Sequence, residues 1–125
     1  MPTTRLIFFC EPDGSSPVVE WLEALRKQNP QAWANCRAQI ERLAAFGHEL
    51  RRPAADFLRD GIYELRAKCG HVQYRLLYFF FGRNVAVLSH ALTKEDKVPA
   101  IDIQRALRRK TMFMSNPEDH TYEQN

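Results

Sequence analysis

The sequence predicts a single α+β domain in which a helix hairpin packs on a mostly antiparallel sheet. Two helix starts are marked by a good N-cap residue followed by proline, at Ser16-Pro17 and Asn29-Pro30. Farther along the chain, the spacing of apolar residues changes from a helical period to the alternation of strands. A last helix is predicted after Pro99. The expected order of elements is β-α-α-β-β-β-α.

The first half of the chain contains one short strand and the helix hairpin. Residues 4–10 are aromatic and β-branched, which favours a strand. In the first helix the buried face has the i, i+3, i+4, i+7 spacing. Its members are Val18, Trp21, Leu22 and Leu25. The second helix ends at Gly47, and the very short connection makes the two helices antiparallel.

Three strands are predicted in the second half, over residues 61–68, 72–81 and 84–92, after a loop that contains Arg51 and Arg52. Tight turns are expected at Cys69-Gly70 and Gly82-Arg83. The last helix carries basic residues that we expect at its C-terminal end. They are Arg105, Arg108, Arg109 and Lys110. One domain is therefore expected over residues 1–114, with a polar, disordered tail over 115–125.

Composition limits the class of protein and its partners. A chain of 125 residues, 45% of them hydrophobic, is long enough to bury a core without disulfides. Three widely spaced cysteines fit a reducing cytoplasm, and no apolar run is long enough for a membrane span or a signal peptide. Residues 37–110 carry fifteen Lys and Arg against eight Asp and Glu. Thirteen of the eighteen cations are Arg, which binds phosphate well, so a polyanionic partner is worth considering.

The predicted strand register gathers ionisable residues on one face of the sheet. If both turns are two-residue hairpins, Glu64 lies opposite Arg75, and Arg75 lies opposite His90. Arg66 follows in the next row of that face. Farther along the strands, the same face carries apolar side chains. A charged cluster bordered by apolar side chains indicates a cleft. The other face seats the helix hairpin with Tyr63, Leu65, Tyr74, Leu76, Tyr78, Val85 and Val87.

Three segments together resemble the phage-derived, HigB-like branch of the RelE/ParE toxin superfamily. They are GIYELRAKCGHVQYRLLYFF, SHALTKEDKVP and IDIQRALRRK. The resemblance covers residues 58–113. It implies a type II toxin that acts as an mRNA interferase at the ribosomal A site, in contact with 16S ribosomal RNA. It also implies a cognate helix-turn-helix antitoxin and a bacterial or prophage origin.

The same resemblance implies roles for individual residues. Glu64, Arg66 and Arg75 match catalytic or phosphate-binding positions on the family's second and third strands, and His90 matches a histidine at the end of the fourth strand. Lys94 matches the basic position that follows. The branch often has two adjacent lysines after this histidine, whereas residues 93–96 here contain one lysine and two acids.

Cleavage of RNA by its 2′-hydroxyl needs a base, an acid for the leaving oxygen and cations for the charge on phosphorus. We expect Glu64 as the base and His90 as the acid, with the reverse assignment open, and no metal or cofactor. The cations are expected to stabilise charge or bind phosphate. They are Arg66, Arg75, Lys94, Lys97, Arg108 and Arg109.

Simpler interpretations compete with this one. Glu64 and Arg75 form an ordinary cross-strand ion pair if the face is only solvated, and His90 is then a structural histidine. The basic residues of the last helix are either a solvated surface or a contact for ribosomal RNA or an acidic antitoxin segment. Two alternative functions remain: a ParE-like gyrase inhibitor without nuclease activity, and an inactive phage-derived binding protein.

Overall fold

The computed structural model describes residues 4–93 and 97–122, and in these ranges five strands form one sheet with three α-helices around it. The elements are β1 (Arg5–Phe8), α1 (Pro17–Gln28), α2 (Pro30–Phe46), β2 (Ala55–Arg59), β3 (Ile62–Cys69), β4 (Val72–Phe81), β5 (Val85–Thr93) and α3 (Ala100–Ser115). The strand order is β1-β5-β4-β3-β2, with β1 parallel to β5 and the other pairs antiparallel. The α+β fold class is confirmed.

The helix hairpin covers one face of the sheet, as predicted. Asn29 caps α2, because its side-chain oxygen accepts a hydrogen bond of 3.1 Å from the amide of Ala32. The hairpin and the sheet share a core that includes Leu25, Leu43 and Leu76. Helix α3 packs on the opposite face. Its apolar residues join those of the strands: Ile103, Ala106 and Phe113 with Ile62, Leu77, Phe79 and Val87.

The loop expected before residue 61 is shorter than predicted, because residues 55–59 form strand β2. The cause is the next turn, in which Asp60 and Gly61 both have positive φ angles, 52° and 83°. Asp-Gly is a favoured pair for a type I′ hairpin turn, whose twist matches that of its strands. Arg59 therefore pairs with Ile62, and β2 becomes an edge of the sheet.

The register predicted between β3 and β4 is wrong by two residues. The turn is Gly70-His71 rather than Cys69-Gly70, since Cys69 pairs with Val72. This turn places glycine at the first central position, where φ is +61°, as a type II′ turn requires. A shift of two residues leaves every side chain on its predicted face. Glu64 nevertheless lies opposite Leu77, not opposite Arg75.

Two irregularities change the register between β4 and β5. A three-residue loop joins Phe81 to its partner Val85, which moves Val85 and Val87 to the α3 face, contrary to the prediction. A β-bulge then follows, because Tyr78 pairs with Leu88 whereas the preceding residue of β4 pairs with His90. The bulge returns His90 to the face that holds Glu64.

Helix α3 and the segment after it differ in part from the predictions. The helix continues to Ser115, so the basic residues expected at its C-terminal end lie in its middle. A short 3-10 helix (Pro117–His120) comes next, and the ring of His120 stacks on Phe9 with 5.0 Å between centroids. Within the segment predicted to be a disordered tail, the amide of Tyr122 donates a hydrogen bond of 3.0 Å to the carbonyl of Phe8, and Thr121 forms a bridge with Phe9. In the described ranges, no helix has the length and apolar character needed to cross a bilayer.

Candidate active site

The candidate site lies on the sheet face that α3 partly covers, and Glu64 is at its centre. Only 3% of Glu64 is exposed, and its carboxylate receives two arginines. Arg75 Nη1 donates a hydrogen bond to Glu64 Oε1, and Arg66 Nη2 donates one of 3.3 Å to Oε2. The predicted grouping of these three residues is therefore present, although the contact between Glu64 and Arg75 runs diagonally across the ladder.

Strand β2 extends this group to the edge of the sheet. Arg66 Nη2 lies 3.1 Å from Asp56 Oδ2, and Arg52 Nε lies 3.0 Å from Asp56 Oδ1. The hydrogen bond from Arg52 lowers the pKa of Asp56, and the hydrogen bond to Glu64 raises the pKa of Arg66. Asp56 and Arg66 are therefore both charged at neutral pH.

His90 is buried in a separate polar group. Its Nδ1 lies 2.9 Å from the hydroxyl of Ser89, and its Nε2 lies 3.2 Å from Asp102 Oδ1 on α3. Burial lowers the pKa of His90 to about 4; Asp102 opposes this shift, while Arg109 reinforces it. The imidazole is therefore neutral at neutral pH.

The group around Glu64 and the group around His90 are neighbours, but no hydrogen bond joins them among the described residues. Leu77 lies between Glu64 and His90 in the ladder, so their Cα atoms are about 10 Å apart, two strand spacings. A neutral His90 is a poor source of a proton. The geometry therefore gives less support to His90 as the acid than to Glu64 as the base.

The other predicted phosphate-binding residues occupy different settings. Arg109 is buried, with Nε 3.0 Å from Glu11 Oε1 and Nη1 3.4 Å from the carbonyl of Ser89. Arg108 is exposed on α3, and Lys97 is exposed just before it. Lys94, together with the two acids after it, lies outside the described residues.

Several groups that complete the site were not predicted. Asp56 was missed because its segment was expected to be a loop, although the Asp60-Gly61 pair after it was a visible hairpin signal. Asp102 lies in the first turn of α3, where an acid is common for helix stability alone. The contact of Ser89 with His90 depends on the bulge, which leaves no pattern in the sequence.

A cleft of about 340 Å³ opens next to Arg66, where the β3–β4 hairpin meets α2. Its polar lining comes from α2, β3 and β4: Gln39, Arg42, Arg66, Lys68 and Gln73. Pro53, Ala54 and Ala67 supply the remaining wall. The cleft is open to solvent, whereas Glu64 and Arg75 are not.

Comparison with known proteins places this chain in a family. The model of the phage-derived Gp49-like protein family (DUF891) matches residues 20–111. This range runs from α1 to α3 and contains Glu64, Arg66, Arg75 and His90. No curated protein matches the chain. Because the family match spans well over half of its length, the chain belongs to the phage-derived Gp49-like family, which is associated with the RelE-type toxins of toxin–antitoxin systems.

Proposed function

We propose that this chain is the toxin of a type II toxin–antitoxin pair and that it stops translation by cutting messenger RNA on the ribosome. One observation carries the proposal beyond the family: two arginines from neighbouring strands converge on one carboxylate. The fork of each guanidinium suits the oxygens of a phosphate, and an adjacent carboxylate can take a proton from a sugar hydroxyl. Arg66 also lines the open cleft, where RNA has access to it.

The proposed reaction uses only RNA, the protein and water. The 2′-oxygen attacks the adjacent phosphorus, the bond from phosphorus to the 5′-oxygen breaks, and the products carry a 2′,3′-cyclic phosphate and a 5′-hydroxyl. Glu64 takes the proton of the 2′-hydroxyl, and Arg66 and Arg75 stabilise the charge on the phosphorane. The leaving oxygen takes its proton from solvent, since His90 is neutral.

In this proposal His90 is a positioning residue. Its bond to Asp102 joins β5 to α3, and Asp102 also lies 3.2 Å from Arg105 Nη1. The contact between His90 and Asp102 therefore fixes α3, with its exposed Arg105 and Arg108, against β5. The family also implies a cognate antitoxin, which we propose is a helix-turn-helix protein encoded beside the toxin.

A non-nucleolytic inhibitor, such as a ParE-like protein acting on gyrase, is the second candidate. The observation that favours it is burial, because Glu64, Arg75 and His90 are 3%, 9% and 6% exposed and have partners within the chain. A binding protein would use such contacts for stability alone. It would leave messenger RNA intact.

Mapping RNA ends after induction separates the two candidates. Wild type, Arg66→Gln and Arg83→Gln are expressed from a tightly controlled promoter, and growth, new 5′ ends in messenger RNA and DNA damage signalling are measured. Arg83 is the matched control, because it is an exposed arginine in the β4–β5 turn, outside the site. We expect wild type and Arg83→Gln to arrest growth with new ends in coding regions, and Arg66→Gln to do neither. Growth arrest with intact messages and DNA damage would reject the nuclease.

A further inference from the structure

We propose that the cleft between α2 and the β3–β4 hairpin binds the phosphodiester backbone of single-stranded RNA beyond the scissile bond, through Arg42 and Lys68. This inference rests on the proposed function, because it describes where the same RNA strand continues. It adds a second surface to the site, built by α2 together with the β3–β4 hairpin, and α2 carries none of the proposed catalytic residues.

The charge of the cleft is of one sign. Three of its polar side chains are cations, two are amides, and none of its lining residues is acidic. Lys68 pairs with Gln73 across the β3–β4 ladder, so the cation of β3 and the amide of β4 lie side by side. Cations and amide donors on an open groove match the phosphate and sugar oxygens of a nucleic acid strand.

Arg42 and Lys68 differ from Arg66 and Arg75 in having no neighbouring acid among the described residues to neutralise them. In the part of the chain that the structure describes, neither Arg42 nor Lys68 lies within 4.0 Å of a carboxylate. Both side chains are exposed. By contrast, Arg66 contacts two carboxylates. Within the cleft, the charge that remains available to a polyanion is therefore concentrated at Arg42 and Lys68.

The backbone around these cations is held in place rather than left loose. Asn35 Nδ2 on α2 donates a hydrogen bond of 2.9 Å to the carbonyl of Lys68, which ties the helix to the end of β3. Gln39, one turn before Arg42, accepts a hydrogen bond of 3.5 Å from Arg42 Nη1. Arg66 belongs to both the cleft and the Glu64 group. A strand bound at the arginines of the sheet can therefore continue into the cleft.

The test uses a single-stranded oligoribonucleotide with 2′-O-methyl groups, which binds but cannot be cut. Its affinity for wild type, the double variant Arg42→Gln/Lys68→Gln and the control Arg37→Gln is measured by fluorescence anisotropy from 50 to 200 mM salt. Arg37 is the matched control, since it is an exposed arginine of α2 that lies outside the cleft. We expect the double variant to bind at least about tenfold more weakly. Its slope of log affinity against log salt should fall by about 1.4, or 0.7 for each lost phosphate contact.

Failure of this inference can be told from failure of the proposed function. Unchanged binding by the double variant, or no binding by wild type, would overturn the cleft assignment even if wild type cuts messenger RNA in cells. Loss of oligonucleotide binding by the double variant, with no RNA cleavage by wild type, would support the cleft and reject the nuclease. A competition experiment adds either unlabelled RNA or polyglutamate of equal charge to the bound oligonucleotide. If polyglutamate displaces the oligonucleotide as effectively as unlabelled RNA does, the cleft binds an acidic protein segment and the assignment to phosphodiester is overturned.

Discussion

Glu64 and Arg75 are joined by a hydrogen bond although they do not face one another in the sheet. Glu64 faces Leu77, and Arg75 faces Arg66, so the ion pair crosses the ladder diagonally. Two arginines in one row have like charges, which would repel each other in isolation. The buried carboxylate of Glu64 offsets this repulsion, so Glu64 has a role in stability as well as in the proposed chemistry.

Replacing Arg75 by methionine should therefore destabilise the fold. The change leaves a buried carboxylate with Arg66 alone, and loss of one partner of a buried pair costs about 3 kcal/mol in the free energy of unfolding. Urea denaturation at pH 7 measures the loss. The double variant Glu64→Gln/Arg75→Met removes both charges and should recover part of it. A loss below about 1 kcal/mol for Arg75→Met would show that the pair is only a solvated surface contact.

The positions of these residues were only partly predictable from the sequence. The faces of Glu64, Arg66 and Arg75 were predicted because they depend on the alternation of side chains, and an error of two residues in the register preserves that alternation. Their partners depend on register, which the position of glycine in the Gly70-His71 turn sets. The face of His90 agrees with the prediction only because the β4–β5 loop and the bulge offset each other.

The buried His90 should make stability depend on pH. Its pKa in the fold is about 4, below the value of about 6.5 in an unfolded chain, so the unfolded chain binds the proton more tightly. The contribution of neutral His90 to the free energy of unfolding is complete above pH 6.5. It is lost as the pH falls towards 4, and the loss is at most about 3 kcal/mol. Urea denaturation at several pH values should show that the free energy of unfolding declines less with falling pH for His90→Gln than for wild type. Equal declines would mean that His90 is accessible to protons in the fold.

The N-caps of the two hairpin helices should respond in opposite ways to alanine. Asn29→Ala removes a capping hydrogen bond and should cost about 1 kcal/mol in the free energy of unfolding. Ser16→Ala should be neutral or slightly stabilising, because the buried hydroxyl of Ser16 has no hydrogen-bond partner among the described residues. Thermal or urea denaturation of the two variants tests the contrast. A larger loss for Ser16→Ala would contradict it.

His120 should hold residues 117–122 against the segment that directly follows β1. Its Nδ1 donates a hydrogen bond of 2.8 Å to the carbonyl of Cys10, and the ring stacks on Phe9. His120→Ala removes both contacts and leaves a buried carbonyl unpaired, so we expect a loss of about 1 to 3 kcal/mol. Asp119→Ala is the control, because Asp119 is exposed and contacts only Asn116 among the described residues. Equal stability of the two variants would mean that the tail adds nothing to the fold.

The central claim is that Glu64, Arg66 and Arg75 form a nuclease site, and the ends of its products test it most directly. Purified protein is mixed with ribosomes stalled on a defined messenger RNA, and the chemistry of any new ends is determined. We predict cleavage by wild type to a 2′,3′-cyclic phosphate and a 5′-hydroxyl, and at least about a hundredfold slower cleavage by Arg66→Gln. Intact messenger RNA, or products with 5′-phosphates, would contradict this claim.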